Sequence, residues 1–363
     1  MEALLPVRWY VDESILKMEM DSLFARGPGY VGHELMVPRV GDHHPVEAGG
    51  KRKLILTRSR SGVEVVVNSC RHRQAVLVDV PGNSKNITCP FHNWTYSMDG
   101  TLLGAPHFQS NPCRNLFKVP TTTWNGLILS GPAPVGRDLS GWGAGSAFDF
   151  SGYRFHRSVD MQCRQNWKTF VEVYLDLYHV APFHPGLSSL VNCANLKWDM
   201  SEFWSVQTVG AKSGSRPAST PAWEAWRQKV LQAHDGSPPD NGAIWLFYYP
   251  NLMLEWNPGS IVVSVLHPVS PGLTVNHVEF YYDSAILGSI PGYAEAHQAA
   301  YFETAAEDEI LGNMMDQGRE SLIGVGMDDV GPVQSPMEDG IVHFHKYVLK
   351  HVKDQAGPGF PVA

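Results

Sequence analysis

Two short segments that each carry one cysteine and one histidine constrain the fold of this chain more than any other feature. Residues 70–72 read Cys-Arg-His, and residues 89–92 read Cys-Pro-Phe-His. A thiolate and an imidazole together indicate a metal site, because both groups are strong metal ligands. Such a site needs two neighbouring loops, and the short strand-like runs around it predict a small antiparallel β domain that supplies them. The candidate ligands are Cys70, His72, Cys89 and His92.

The mixture of ligand types on each loop indicates which metal is bound. Zinc sites usually keep like ligands together, with two cysteines on one arm and two histidines on the other. A Rieske [2Fe–2S] centre has two cysteines on one iron and two histidines on the other. Two loops that each give one ligand to each iron supply that arrangement directly. Trp94 and Tyr96 follow the second loop and could shield the sulfurs from water.

These segments resemble the Rieske domain of the ring-hydroxylating oxygenase α subunits. The resemblance extends to the run Cys-Pro-Phe-His-Asn-Trp at 89–94, to Asp-Gly at 99–100, and to Gly104 and Pro106. One departure is Gln74, because the family usually has glycine there. The departure removes no ligand.

A second group of candidate ligands lies in residues 165–184. We expect a helix over about 165–179, on which Glu172, Asp176 and His179 share one face at spacings of four and three. We expect Pro182 to stop this helix and to let His184 swing back toward His179. Two histidines and one carboxylate with open positions form the facial triad of non-haem Fe(II) oxygenases. The pattern Asp-x-x-His-x-x-x-x-His resembles the catalytic domain of the same family.

The third iron ligand is expected in a long C-terminal helix at about 293–318. The resemblance, with Gln317 nine residues further on, selects Asp308. Its helical neighbours are mostly apolar, and an inward-facing carboxylate there is costly unless it binds a metal. Glu307 and Glu309 are the alternatives, and we otherwise expect them to be solvated. The resemblance implies that Asp176 is a bridge that carries electrons from a neighbouring subunit's cluster. The other interpretation of Asp176 is an acid that only orients His179. We expect Glu172 only to support this region.

The fold class predicted is α+β with two domains. Residues 1–29 form a helical segment that packs on the catalytic domain, residues 30–131 the Rieske domain, and residues 132–363 the catalytic domain. Strands at 243–249, 252–256, 260–267 and 274–282, followed by one long helix, suggest a curved antiparallel sheet gripped around that helix, a START-like arrangement. Eight aromatic residues could wall a substrate pocket or form a cage for a quaternary ammonium group, but we expect core packing for any single one of them. They are Trp204, Trp223, Trp226, Trp245, Phe247, Tyr248, Tyr249 and Trp256.

Charge and cysteine content exclude several classes of protein. The net charge of −8 and the pI near 6.0 offer no basic surface for nucleic acid. The sequence shows no membrane span and no signal peptide, and five cysteines do not suit a disulfide framework, so we expect a cytoplasmic protein. We expect Cys113, Cys163 and Cys193 to be buried, and residues 335–338 and 343–345 to lie on the surface.

The resemblance implies the terminal component of a Rieske oxygenase. Its cofactors are a [2Fe–2S] cluster and a mononuclear Fe(II), with O2 as co-substrate and NAD(P)H acting through a ferredoxin or flavin reductase. The chain is then expected to form a homotrimer and to hydroxylate or dihydroxylate a small organic substrate, with an aromatic ring as the first expectation. The alternative is a monooxygenase or demethylase of a quaternary ammonium or N- or O-methyl compound. A remote alternative is a Rieske electron-transfer protein, which would not need His179, His184 or Asp308.

Overall fold

The computed structural model describes residues 4–48, 52–142, 145–212 and 218–356, and the chain divides into two compact units. The β unit is Pro28–Leu139, and the α+β unit combines Met1–Gly27 with Ser140–Ala363. The β unit therefore ends eight residues later than the expected boundary at 131. The reason is a short helix, Val135–Asp138, which packs on the strand Thr122–Trp124 of the same unit.

The N-terminal segment forms two short helices, α1 (Arg8–Val11) and α2 (Glu13–Ser22). Asp12 begins α2, because its side chain accepts a hydrogen bond from the backbone N–H of Ser14. The apolar residues Ile15 and Leu16 of α2 are buried in a core cluster of the α+β unit.

The β unit is built from three small antiparallel sheets with strand orders β1-β10-β9, β4-β3-β2-β5 and β6-β7-β8. The two cysteine–histidine segments lie in the loops that follow β4 and β6. Strands β3 and β4 pair antiparallel as a hairpin. The strands are β1 (Tyr30–His33), β2 (Asp42–Ala48), β3 (Arg52–Ser59), β4 (Gly62–Val67), β5 (Gly82–Asn83), β6 (Asn86–Thr88), β7 (Thr95–Ser97), β8 (Leu102–Gly104), β9 (Thr122–Trp124) and β10 (Leu127–Leu129), followed by helix α3 (Val135–Asp138).

The α+β unit contains a seven-stranded antiparallel sheet in the order β11-β17-β16-β15-β14-β13-β12. The four strands expected from the sequence are β14 to β17, and sequence analysis missed β11, β12 and β13. The many exposed and half-buried residues of β11 and β12 give a weaker strand signal than the apolar runs of the central strands. Strand β13 is mostly buried, but it carries the polar residues Ser205, Gln207 and Thr208 between its apolar ones. The strands are β11 (Tyr153–Cys163), β12 (Val191–Ser201), β13 (Trp204–Ala211), β14 (Asn241–Tyr248), β15 (Leu252–Asn257), β16 (Ser260–Ser270) and β17 (Leu273–Asp283).

One long helix lies across this sheet, which confirms the expected α+β arrangement. Residues Tyr293 and Ala300 of the helix pack in one cluster with Val262 and Phe280 of the sheet. The helix continues past the expected end at 318, and its last turn is closed by Gly326 at φ +76°. The helices are α4 (Trp167–Leu175), α5 (Val180–Phe183), α6 (Pro221–Ala233), α7 (Ser284–Ser289), α8 (Tyr293–Gly324) and α9 (Asp339–Ala356). No helix among the described residues is long and apolar enough to cross a membrane.

Helix α9 corrects the expectation that residues 343–345 lie on the surface. His345 is fully buried, and its Nε2 lies 2.8 Å from Oε1 of Glu172 on α4. Glu172 also pairs with Arg319 of α8. Beside this cluster, the buried Lys168 and Glu19 form an ion pair of 2.7 Å that joins α4 to α2. These buried charges fix α4 between its neighbours, and α4 leads directly into residues 176–184.

Candidate metal centres

In the β unit the two loops bring the four cysteine and histidine side chains together. Cys70 and Cys89 are buried free thiols, and burial together with the neighbouring Cys70 raises the pKa of Cys89. The rings of His72 and His92 lie 4.7 Å apart between centroids, at the more exposed side of the loops. Buried thiols with more exposed imidazoles are the arrangement expected when the histidine-bound iron faces an electron-transfer partner.

The residues around these loops fit a Rieske cluster. The Nδ1 atom of His72 is buried and has no hydrogen-bond partner among the described residues, as expected for a nitrogen that binds a metal. Its ring stacks on Trp94 at 4.9 Å, which holds the ring's orientation. The hydroxyl of Tyr96 lies 3.4 Å from Sγ of Cys70, and hydrogen bonds to cluster sulfurs tune the reduction potential.

Gln74 occupies the backbone conformation that explains the family's glycine. Its φ is +58°, in the left-handed region, and its N–H donates to the carbonyl of Cys70. The second loop repeats this turn, because Asn93 has φ +59° and donates to the carbonyl of Cys89. Asparagine and glycine tolerate this conformation better than glutamine does. The departure from the family pattern therefore costs backbone energy, and the turn that places Cys70 and His72 is still formed.

In the α+β unit, His179, His184 and Asp308 form a close group of three. Nε2 of His184 lies 2.8 Å from Oδ1 of Asp308 and 3.0 Å from Nε2 of His179. Nε2 of His179 lies 3.4 Å from the same Asp308 oxygen. Ligand atoms at about 2.1 Å from an octahedral metal are about 3 Å apart when they share one face. The triangle therefore fits one iron with three positions left open.

The electrostatics of this group favour a cation. Burial alone would lower the pKa of His179, but Asp176 and Asp308 raise it to about 9. Burial would raise the pKa of Asp308, and the two histidines lower it instead. The carboxylates thus stabilise positive charge at the point where the three ligand atoms meet.

The approach of the two histidines depends on a break at Asp176, and the expected continuous helix was wrong here. Helix α4 ends at Leu175, and Pro182 lies inside the short helix α5. Oδ1 of Asp176 accepts the backbone N–H groups of Tyr178 at 2.5 Å and His179 at 3.2 Å. These bonds close a turn that competes with the helix. Oδ2 of Asp176 lies 3.2 Å from Nδ1 of His179, so the carboxylate also orients that ring.

Glu307 and Glu309, the two alternative ligands on α8, are half-buried, which corrects the expectation that they would be solvated. Oε2 of Glu307 lies 2.7 Å from Nδ1 of His184, on the ring nitrogen that does not meet Asp308. Glu309 lines a cavity together with the group of three. Helical spacing alone could not predict that Glu307 and Glu309 are partly buried. Residues 307–309 point in three directions around α8, and other elements contact the helix on several sides.

A cavity of about 140 Å³ adjoins His179, His184 and Asp308. Its walls come from the sheet and from helices α4, α6 and α8. The aromatic residues Trp223, Trp226 and Trp245 line it, so a pocket role applies to these three. Cys163 also lines it, Cys193 is half-buried, and Cys113 is exposed, which corrects the expectation that it would be buried.

Two family models match this chain and together cover most of it. Residues 29–122 match the Rieske [2Fe-2S] domain, and residues 150–354 match the catalytic domain of the ring hydroxylating alpha subunit.

Among curated proteins, the chain is 48% identical to a putrescine 2-hydroxylase of Ralstonia nicotianae, over 95% of this chain and 94% of that protein. It is 41% identical to a putrescine 2-hydroxylase of Bordetella bronchiseptica, over 94% of this chain and 83% of the other. A choline monooxygenase of Amaranthus tricolor is 25% identical, over 94% of this chain and 76% of that protein.

Solved structures share the fold of the whole chain. A quaternary ammonium Rieske monooxygenase superposes with a TM-score of 0.75 at 19% identity, covering 96% of this chain and 95% of that one. The naphthalene 1,2-dioxygenase of Rhodococcus sp. gives 0.72 at 17% identity, covering 97% and 95%. The chain belongs to the α subunits of the Rieske non-haem iron oxygenases, which use a [2Fe–2S] cluster and a mononuclear iron.

Proposed function

We propose that this chain is the terminal component of a monooxygenase that hydroxylates a small aliphatic amine, with putrescine as the candidate substrate. The charge of the cavity carries this proposal. Four carboxylates line it, and no lysine or arginine among the described residues does. The acids are Asp176, Glu255, Asp308 and Glu309.

The remaining imidazole of the cavity adds no positive charge. His297 lies away from the group of three, between Ser260 and Tyr282, and burial lowers its pKa to about 3. Asp176 and Asp308 face the histidines and the metal position. Glu255 and Glu309 are therefore the acidic groups left to meet a protonated amine, and a neutral aromatic ring would gain nothing from them.

The aromatic walls are consistent with either kind of ligand, so they do not decide between them. Tryptophan faces bind apolar rings and also attract cations. The cavity charge and the activities of the two relatives named putrescine 2-hydroxylase favour the amine alternative over an aromatic substrate.

We assign the metal-binding residues as follows. Cys70 and Cys89 would hold one iron of the cluster, and His72 and His92 the other; His179, His184 and Asp308 would hold the mononuclear iron. The chemistry supplied by these groups when bound is one-electron transfer and activation of O2. The chain's own residues orient the ligands, through Asp176 at His179 and Glu307 at His184, and confine the substrate.

We also propose that the chain works as a head-to-tail homotrimer with a reductase. In such a ring a heterologous interface closes at three and can set each β unit beside a neighbour's catalytic site. Asp176 would then bridge His179 and the neighbour's His92. The side chain of Asp176 is 18% exposed while it holds His179, which leaves it accessible for this second contact.

A substrate panel tests the proposal. The purified protein, loaded with iron and supplied with a surrogate reductase, is offered putrescine, choline, carnitine and benzoate. We expect putrescine to be hydroxylated, and Asp308→Ala to lose product while it keeps the Rieske absorbance. Conversion of benzoate alone would overturn the amine assignment. A content of two irons per chain in the active wild type, instead of three, would overturn the mononuclear site.

A further inference from the structure

We propose that Glu255 binds a primary ammonium group of the substrate, and so selects primary amines over neutral and quaternary analogues. The inference rests on the proposed function, because it names the residue that recognises the amine in the same cavity.

Glu255 is placed toward the cavity by the register of the sheet. It lies on β15, directly opposite Trp245 on β14 and Val262 on β16. Residues two apart on a strand share a face, and Met253 on the same strand is buried in the core beneath α4. Glu255 therefore points to the helix-covered side of the sheet, where it lines the cavity.

The Glu255 carboxylate has no cationic partner among the described residues. Its side chain accepts a hydrogen bond from Trp245, and the nearby charge is the like charge of Asp308. Burial, with a smaller contribution from Asp308, raises the pKa of Glu255 to about 8. Ionising a buried carboxyl group without a counter-ion is costly, and an ammonium ligand lowers that cost by pairing with the ionised form.

Other polar atoms around the cavity also lack hydrogen-bond partners among the described residues. Two are amide oxygens, two are hydroxyls that can accept or donate, and one is the indole N–H donor of Trp223. Four lining side chains carry a buried oxygen that has no hydrogen-bond partner among the described residues. A primary ammonium offers three N–H donors, whereas a quaternary ammonium offers none. Glu255 and the unpartnered oxygens around it could therefore accept the N–H groups of a primary ammonium. The four oxygens belong to Gln165, Tyr174, Asn276 and Thr304.

This arrangement predicts that the site binds analogues with fewer hydrogen-bond donors than a primary ammonium group more weakly. A diol carries no positive charge to stabilise the ionised form of Glu255 and offers one O–H donor per hydroxyl, and a trimethylammonium group would bury the same carboxyl group without any hydrogen bond. Sites that hydrogen-bond a ligand reject analogues lacking those groups strongly, because their buried polar atoms are then left unpaired. Tryptophan contacts alone would favour the quaternary cation.

Calorimetric titration of the anaerobic holoenzyme tests the inference without relying on turnover. Affinities for putrescine, 1,4-butanediol and choline are measured for the wild type and for Glu255→Gln, Glu255→Asp and Glu303→Gln. Glu303 is a matched control, because it lies on α8, bonds to Thr220 and does not line the cavity. Iron content and Rieske absorbance are recorded for every variant.

We expect Glu255→Gln to weaken putrescine binding by about 10- to 100-fold, the range for a lost charge-assisted hydrogen bond. Glu255→Asp should lose less, and Glu303→Gln should match the wild type. If the wild type binds and hydroxylates putrescine while Glu255→Gln binds it equally well, Glu255 is not the amine anchor and the proposed function stands. If the wild type binds no amine, the proposed function and this inference both fail.

Discussion

His184 and Glu307 are joined by a contact of 2.7 Å between Nδ1 of the imidazole and Oε2 of the carboxylate. The other ring nitrogen of His184 faces Asp308 and His179. A carboxylate on Nδ1 fixes the tautomer that leaves Nε2 free to bind a metal, and it makes that nitrogen more basic. Glu307 would thus be a positioning residue that acts on the iron through His184, if His184 binds it as we propose.

Glu307→Ala should lower the affinity for the mononuclear iron by about 10- to 100-fold, the usual effect of removing such a partner. Competition between the protein and a calibrated Fe(II) chelator measures this affinity. Glu303→Ala on the same helix is the control. Equal iron retention in Glu307→Ala and wild type would show that the contact does not support the site.

Asp176→Asn should keep both metal centres and lose most turnover. The amide can still accept a backbone N–H group, so the turn after α4 is retained, but the charge beside His179 is lost. The measurement is product formed per chain, alongside metal content and oligomeric state.

Co-expression of two inactive variants then tests the bridge between subunits. Mixed trimers of His92→Ala and Asp308→Ala contain interfaces where an intact cluster meets an intact iron site. Activity should reappear in them. Mixed trimers that form and stay inactive would show that electrons do not cross between subunits.

Glu172→Gln should destabilise the fold by about 1–3 kcal/mol, because it removes the carboxylate that pairs with Arg319 and His345 while Asp316 stays beside Arg319. Urea unfolding measures the free energy, and the exposed Glu320→Gln is the control. Burial would raise the pKa of Glu172, but Arg319 and His345 lower it from 4.5 to about 2. The stability it contributes is complete above pH 4.5 and is lost as the pH falls toward 2. The difference in unfolding free energy between the wild type and Glu172→Gln should therefore shrink between pH 4.5 and pH 2. A constant difference would contradict the pairing of an ionised Glu172 with Arg319 and His345.

Gln74→Gly should stabilise the β unit by about 0.5–1 kcal/mol. Glycine relieves the left-handed backbone, and the greater freedom of its unfolded chain offsets part of the gain. Loss of the visible cluster absorbance on heating reports the change. Asn93→Gly should have a smaller effect, since asparagine tolerates this conformation. A destabilised Gln74→Gly variant would show that the side chain contributes more than its backbone costs.

The parts of the site predicted from sequence were those carried by local spacing. Cys70, His72, Cys89 and His92 lie in two short segments, and their loops form within one small unit. His179 and His184 were also paired correctly as neighbours, although the break that joins them lies at Asp176. The Asp176 carboxylate accepts the backbone N–H groups two and three residues later, and these bonds compete with helix formation. Spacing on an ideal helix cannot show which of the two forms.

The parts that sequence reasoning missed depend on contacts between distant elements. His345 reads as a polar residue near the end of the chain, yet it is buried because it meets Glu172, 173 residues earlier. Glu255 lies in an apolar strand, and its role follows from the register with Trp245 and from the helices above the sheet. Neither relationship leaves a local pattern.

Amine monooxygenation is tested most directly by the product that the iron-loaded protein, with a reductase, forms from putrescine under 18O2. We expect a hydroxylated diamine that carries one 18O atom, with none formed by Asp308→Ala. A product with two 18O atoms would contradict monooxygenation. Unchanged putrescine, with both metal centres loaded and the reductase active, would contradict the amine assignment itself.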